Sequence, residues 1–232
     1  VPTAPISPDL KMNLLLGGVI GILLAYVYVL LRSLTDTRVR TSAQLQELTG
    51  SGLLGRVPRY DPDKADEADS PLVAESYRRI RTNLRFTSVD RQIRSIVITS
   101  PNQGEGKSTV STSLARVIAE SGQPTIIIDA DLRRPRVGKL LGIDDRTGLS
   151  EVLSGQIGIE AGSIPPNPSE MLDSEAMRAF IADLSRSYFV IIDAPPVLPV
   201  TDPAILSQRV DGLVLVAASG STTKDELKTA IE

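Results

Sequence analysis

The sequence has no cysteine, no histidine and no tryptophan. Without cysteine there is no disulfide frame and no thiolate chemistry. Without histidine there is no imidazole base, no phosphohistidine relay and no histidine-bound metal. Chemistry must therefore rest on Asp, Glu, Lys, Arg, Ser, Thr or Tyr. Aromatics make up 3% of the chain, too few for a base-stacking platform. A net charge of −3 does not favour general affinity for nucleic acid, and no nucleic-acid partner is expected. What remains is a chain of 232 residues, enough for one sizeable domain and an appendage.

The most informative stretch runs from Ser95 to Thr109. Ile96-Val97-Ile98-Thr99 is a β-branched run that reads as a buried strand. It stops at Pro101, which cannot donate to a ladder. Gly104-Glu105-Gly106-Lys107-Ser108-Thr109 then opens a helical segment through Glu120. Strand, glycine turn and helix is the setting of a phosphate-binding P-loop. Its glycines turn backbone N–H groups toward an anion, and the helix N-terminus adds unpaired donors. Lys107 can reach β- and γ-phosphates, and the Ser108 hydroxyl can sit on Mg²⁺. A plain Gly-Lys-Ser turn is the competing reading. Pro101 stands where the usual loop has its first glycine.

From the start, Val1 to Asp9 carries Pro2, Pro5 and Pro8 and reads as an extended lead-in. A chain that begins with Val reads as a fragment or processed piece. Met12 to Leu31 carries no charge and is about as long as a bilayer-crossing helix. A signal peptide would need a basic flank and a cleavage site. Arg32, Arg38 and Arg40 follow the run against Asp36 alone, so everything after Leu31 is expected in the cytoplasm. Gly17 and Gly21 form a weak helix-packing motif. Thr41 to Leu48 reads as a short helix stopped by Gly50, Gly52 to Val57 as a short strand, and the acidic run Asp61 to Asp69 as a solvated linker.

Pro71 to Phe86 reads as a helix with Pro71 in its first turn. Leu72, Val73, Tyr77, Ile80 and Leu84 form its apolar face, while Glu75, Arg78 and Arg81 repeat along another stripe. That stripe is either a solvated face with local salt bridges or a contact for a subunit or lipid. Three further apolar runs read as strands. Thr125-Ile126-Ile127-Ile128 leads into Asp129-Ala130-Asp131-Leu132-Arg133-Arg134-Pro135, Phe189 to Ile192 ends on Asp193, and Leu213 to Val216 is the last. Carboxylates at the ends of parallel strands face the ligand crevice of an α/β sheet. Asp193 fits the Mg²⁺ partner of a P-loop site. An N-cap for the next turn could account for one of Asp129 and Asp131, though not both. The expected fold is an α/β P-loop NTPase. Its sheet is mostly parallel with helices on both faces, and one transmembrane helix precedes it.

With these motifs in place the chain resembles the bacterial tyrosine kinases (BY-kinases) fused to a polysaccharide chain-length regulator, a polysaccharide copolymerase. Residues 101–109 look like that family's Walker A, 126–135 like its Walker A′ and 190–196 like its Walker B. Glu75, Arg78 and Arg81 match its Glu-x-x-Arg-x-x-Arg pattern. The resemblance implies a plasma-membrane protein-tyrosine autokinase of a bacterium, using ATP and Mg²⁺ and regulating synthesis, chain length and export of a capsular or extracellular polysaccharide. It implies ATP binding by Gly104, Glu105, Gly106, Lys107, Ser108 and Thr109. Catalytic roles fall to Lys107, Asp129, Asp131 and Arg133, and the metal site to Ser108, Asp129 and Asp193. Asp129 would accept the Tyr proton, and Glu75, Arg78 and Arg81 would form the interface of a ring-shaped homo-oligomer. Partners would be membrane lipid, the polysaccharide synthesis and export machinery and a cognate tyrosine phosphatase. The expected organisation is an outer lead-in over 1–11, the membrane helix over 12–31, a juxtamembrane segment and acidic linker over 32–70, and the kinase domain over 71–232.

The chain departs from the family in three ways. Its last Tyr is Tyr188 rather than a C-terminal tyrosine cluster, it shows no second membrane helix or outer domain upstream, and Gly158 to Gly162 is shorter than expected. The other functions considered are a ParA/MinD-like membrane ATPase switch and a non-catalytic gate of an export complex. The extra Lys usual in the switch loop is absent, since Pro101, Asn102 and Gln103 occupy that stretch.

Overall fold

The computed structural model describes residues 10–34, 36–87, 92–143, 149 and 167–232. The short run at Gly158 to Gly162 lies outside them. The chain divides into two units, residues 1–38 and 39–232. The first contains helix α1 (Leu10–Leu34). An 18-residue window within Lys11–Leu34 has a mean hydropathy of 2.6 with none of it buried, and the helix is long and apolar enough to cross a membrane. It contains the expected span 12–31.

The second unit begins at Val39, well before the expected domain start at 71. Val39 is buried, and its N–H donates to the Thr222 carbonyl at 2.9 Å. Helix α2 (Ser42–Thr49) opens on a capping box in which Thr41 and Gln44 satisfy each other's backbone N–H groups. It ends on Gly50, whose φ of 60° suits glycine. The strand expected over 52–57 does not form. That segment instead straps across a helix, with the Leu54 carbonyl taken by Asn83 Nδ2 at 2.8 Å. A Cβ on Gly55 would lie 2.5 Å from Ile80 Cγ1, so only glycine fits there. The run 61–69 is more than a linker. It holds the turn α3 (Ala65–Ala68), and Asp69 pairs with Arg116 at 2.7 Å.

Helix α4 (Pro71–Phe86) buries Val73, Tyr77, Ile80 and Leu84 at helical spacing, while Leu72 stays exposed. Among the described residues four parallel strands follow: β1 (Ser95–Thr99), β2 (Thr125–Asp129), β3 (Phe189–Asp193) and β4 (Gly212–Leu215), in spatial order β2-β3-β1-β4. Between them run α5 (Lys107–Glu120), α6 (Val137–Leu141), α7 (Pro168–Leu172), α8 (Glu175–Ser187) and α9 (Asp202–Ser207), and α10 (Lys224–Thr229) comes last. Alternate strand residues face opposite sides. Ile96, Ile98, Phe189 and Ile191 pack with α4 and α5. Val97, Val190 and Ile192 pack with α7, α8 and α9. Both faces of the sheet are therefore covered, which is why the strands read as continuous apolar runs.

The strand order sets the site. β3 lies between β1 and β2, with Ile98 in register with Asp193 and Asp193 with Asp129. The P-loop and the two Asp-terminated strands thus open side by side at the carboxyl ends of the strands.

Candidate active site

The P-loop leaves β1 and reaches α5 through Gly104 (φ 84°) and Gly106 (φ 93°), both in the left-handed region. A side chain there would be strained, and neither position is crowded. The start of the loop is pinned. Thr99 Oγ1 donates to the Pro195 carbonyl at 2.6 Å, and the Pro101 carbonyl accepts from Leu198 N at 3.3 Å. A proline is tolerated at 101 because its carbonyl, not an N–H, makes that contact.

Lys107, the first residue of α5, is 7% exposed. Its ammonium lies 3.0 Å from Asp131 Oδ2 and 3.5 Å from Asp193 Oδ2. Asp193 is fully buried. It accepts from Ser108 Oγ at 2.6 Å and from Ser111 Oγ at 2.9 Å. Burial pushes the Asp193 carboxyl above its usual range, against the pull of Lys107 and the two hydroxyls. The five residues form a closed polar cluster under the P-loop.

Asp129 stands one strand over and uses its oxygens differently. Oδ2 accepts from Arg136 N at 2.8 Å and Val137 N at 2.9 Å, and Oδ1 from Asp131 N at 3.1 Å. Asp129 thus caps the start of α6. Burial, joined by the Asp193 charge, raises its pKa to about 6 in spite of those three N–H groups. Asp131 accepts from Arg134 N at 3.1 Å as well as facing Lys107. Each carboxylate therefore serves a local turn and the shared crevice.

Arg133 ion-pairs with Asp202, a fully buried carboxylate at the start of α9. Ser169 Oγ donates to the same carboxylate at 2.6 Å. Glu105 turns back on its own loop, accepting from Asn102 N at 3.0 Å and Thr222 Oγ1 at 2.6 Å. Thr109 offers its carbonyl to Thr112 Oγ1 at 3.2 Å.

The structure brings together Lys107, Ser108, Asp131 and Asp193, with Asp129 in register beside them. Sequence reasoning missed Ser111, although it lies one helical turn past Lys107 on the face that meets Asp193. It also missed Asp202, which precedes a proline and reads as an ordinary cap. Glu75, Arg78 and Arg81 are not equivalent on α4. Arg78 and Arg79 pair with Glu75 at the surface, whereas Arg81 donates inward to the Val117 carbonyl at 3.2 Å.

Among the described residues no group of three or more carboxylates could hold a metal. The hard oxygens of Ser108 and Asp193 nevertheless fit Mg²⁺, which keeps waters and phosphate oxygens as its other ligands.

A ParA family profile, described as NUBPL iron-transfer P-loop NTPase, matches residues 92–222, over half of the chain. This defines a P-loop NTPase. The tyrosine-protein kinase YwqD of Bacillus subtilis is 42% identical over 177 residues, covering 69% of this chain and 75% of that protein. The tyrosine-protein kinase ptk of Acinetobacter johnsonii is 32% identical across 99% of this chain, which spans only 36% of that protein's length. The kinase domain of Escherichia coli tyrosine kinase ETK superposes with a TM-score of 0.73 at 31% identity, covering 83% of this chain and 88% of that domain. The chain belongs to the bacterial protein-tyrosine kinase family.

Proposed function

We propose that this chain binds ATP with Mg²⁺ and transfers the γ-phosphoryl group to tyrosine hydroxyls. The observation that carries the reading is the closed cluster of Lys107, Ser108, Asp131 and Asp193 beneath a P-loop with two left-handed glycines. Phosphoryl transfer needs positioning and charge neutralisation more than covalent chemistry.

In this reading Lys107 exchanges Asp131 for the β- and γ-phosphate oxygens, as the loop N–H groups close on the same charge. Ser108 and Asp193 hold Mg²⁺, which neutralises charge on the transferring group. Asp129 takes the phenolic proton. Its pKa of about 6 makes it a better proton acceptor than an ordinary carboxylate while leaving it ionised near neutral pH. Asp131 supports the metal site, and Arg133, braced by Asp202, holds the phosphate or the acceptor. The proposed binding loop comprises residues 104–109, with Glu105 acting through its hold on Asn102 and Thr222.

The wider setting also belongs to this reading. Helix α1 anchors the chain in the plasma membrane, with the residues after 31 in the cytoplasm. Subunits assemble into a ring through the surface around Glu75 and Arg78. The kinase regulates the synthesis, chain length and export of a capsular or extracellular polysaccharide, and a cognate tyrosine phosphatase reverses it. The ParA profile match favours the switch as the second reading. Incubating the purified chain with ATP and Mg²⁺ tests the first reading. Phosphotyrosine is expected to form, and to fall sharply in Ser108→Ala. Equal yields from both proteins would remove Ser108 from the mechanism.

A further inference from the structure

The chain has five tyrosines, and their environments differ sharply. Tyr26 and Tyr28 lie in the apolar helix α1. The Tyr60 hydroxyl bonds those of Tyr77 at 3.0 Å and Ser113 at 3.1 Å, and Tyr77 is 1% exposed. Tyr188 is 40% exposed, and its hydroxyl bonds no described residue.

Tyr188 follows α8 directly. Its backbone is extended, and its N–H is held by the Leu184 carbonyl at 2.9 Å. Tyr188 lines a cleft of about 400 Å³ shared with Arg85, Gln92, Arg94 and Gln123, with no Asp or Glu among the described residues of the lining. The Arg85 guanidinium, on α4, has no ion-pair or hydrogen-bond partner among the described residues. The Arg94 guanidinium donates only to neutral oxygens, the Arg186 carbonyl at 3.3 Å and Gln92 Oε1 at 3.2 Å. Among the described residues, therefore, two guanidinium groups without a carboxylate partner share the cleft with an accessible tyrosine. That is an arrangement for an arriving dianion, since a phosphotyrosine carries nearly two negative charges and pairs with Arg in bidentate fashion.

The P-loop of the same chain cannot reach this cleft. Tyr188 precedes β3 at its amino end, and Asp193 closes β3 at the other. Five residues of strand separate them by about 16 Å.

Resting on the kinase reading, we propose that Tyr188 is a phosphoryl acceptor served by a second copy of this chain, and that Arg85 and Arg94 hold the product. The Tyr188 Oη–phosphorus bond forms as the bond from the γ-phosphorus to the β,γ-bridging oxygen breaks. ADP leaves, and the phenolic proton passes to the donor copy's base.

The test mixes tagged Lys107→Met chain as acceptor with unaltered chain as donor, in detergent with ATP and Mg²⁺. A glutamate–tyrosine copolymer serves in parallel as an outside acceptor. Trypsin releases residues 187–209, in which Tyr188 is the one tyrosine. Phosphate is expected on Tyr188 in this acceptor peptide, and on none in Tyr188→Phe acceptor. A phosphatase should strip it several times faster from Arg85→Gln acceptor. Copolymer phosphorylation with Tyr188 unmodified would overturn the proposal and leave the kinase reading standing. Modified Tyr188 stripped equally fast from both acceptors would overturn the arginine clasp. Neither copolymer nor chain labelled would overturn the proposal together with the kinase reading.

Discussion

Replacing Lys107 by methionine is the usual way to disable a P-loop, on the premise that a solvent-facing loop residue can be changed without harm to the fold. The geometry here predicts otherwise. The Lys107 ammonium is almost fully enclosed and faces two carboxylates at 3.0 and 3.5 Å. Removing one partner of a buried pair costs about 3–5 kcal/mol. Asp193 keeps the Ser108 and Ser111 hydroxyls, and Asp131 keeps the Arg134 N–H. The expected loss is therefore at the low end, about 3 kcal/mol at pH 8. For a chain of this size that lowers the melting temperature by about 6–12 °C. The loss should depend on pH. Burial already holds the Asp193 carboxyl above its ordinary value, and Lys107 is the largest influence pulling it down. Without Lys107 the folded pKa rises further. A carboxyl group whose pKa is higher folded than unfolded binds more protons when folded. Its contribution to stability therefore falls as pH rises from the unfolded value toward the folded one. The deficit of Lys107→Met should accordingly be smaller at pH 5 than at pH 8. Thermal melts of the detergent-solubilised protein, followed by circular dichroism at the two pH values, provide the measurement. A loss below about 2 °C at pH 8, or equal losses at both, would refute the buried pair.

Three further outcomes are expected. The acid limb of kcat/KM should lie near pH 6, where Asp129 gives up its proton, with activity rising through it. Asp129→Asn should lose both limb and activity, whereas a limb near the ordinary carboxylate value of about 4 would deny Asp129 the role. Arg78→Glu alone should shift sedimentation toward the monomer while ATP binding persists. If Arg78 serves only its surface pair with Glu75, the change is worth about 0–1 kcal/mol and the oligomer stays intact. Arg81 is left unaltered in that test because its bond to Val117 is internal. Protease should cut the region after Arg32 in inverted vesicles and spare it in intact cells, and the opposite pattern would reverse the orientation.

The parts of this architecture legible in the sequence are those governed by local rules. Continuous β-branched runs marked the strands covered on both faces, and the glycine-rich turn marked the start of α5. Cap chemistry alone marked the end of α2 at Gly50 and narrowed its start to Thr41 or Ser42, of which Thr41 is the cap. The misreadings concern long-range partners. Gly52 to Val57 has strand-like composition, but its backbone is spent on Asn83 and its Gly55 on Ile80. The acidic run 61–69 reads as solvated, although Tyr60 and Asp69 anchor its ends on α4 and α5. Within the site, Lys107 and the three carboxylates were found by motif. Asp202 escaped because its partner Arg133 lies far away in sequence.

The most direct measurement is the fate of the γ-phosphoryl group. The purified chain is incubated with γ-labelled ATP and Mg²⁺, and label on protein tyrosine is compared with label released as inorganic phosphate. A tyrosine kinase built on Lys107, Ser108, Asp129 and Asp193 should place label on tyrosine, and lose it in Asp193→Asn. Steady release of phosphate with no label on tyrosine would contradict the account and leave an ATPase switch in its place.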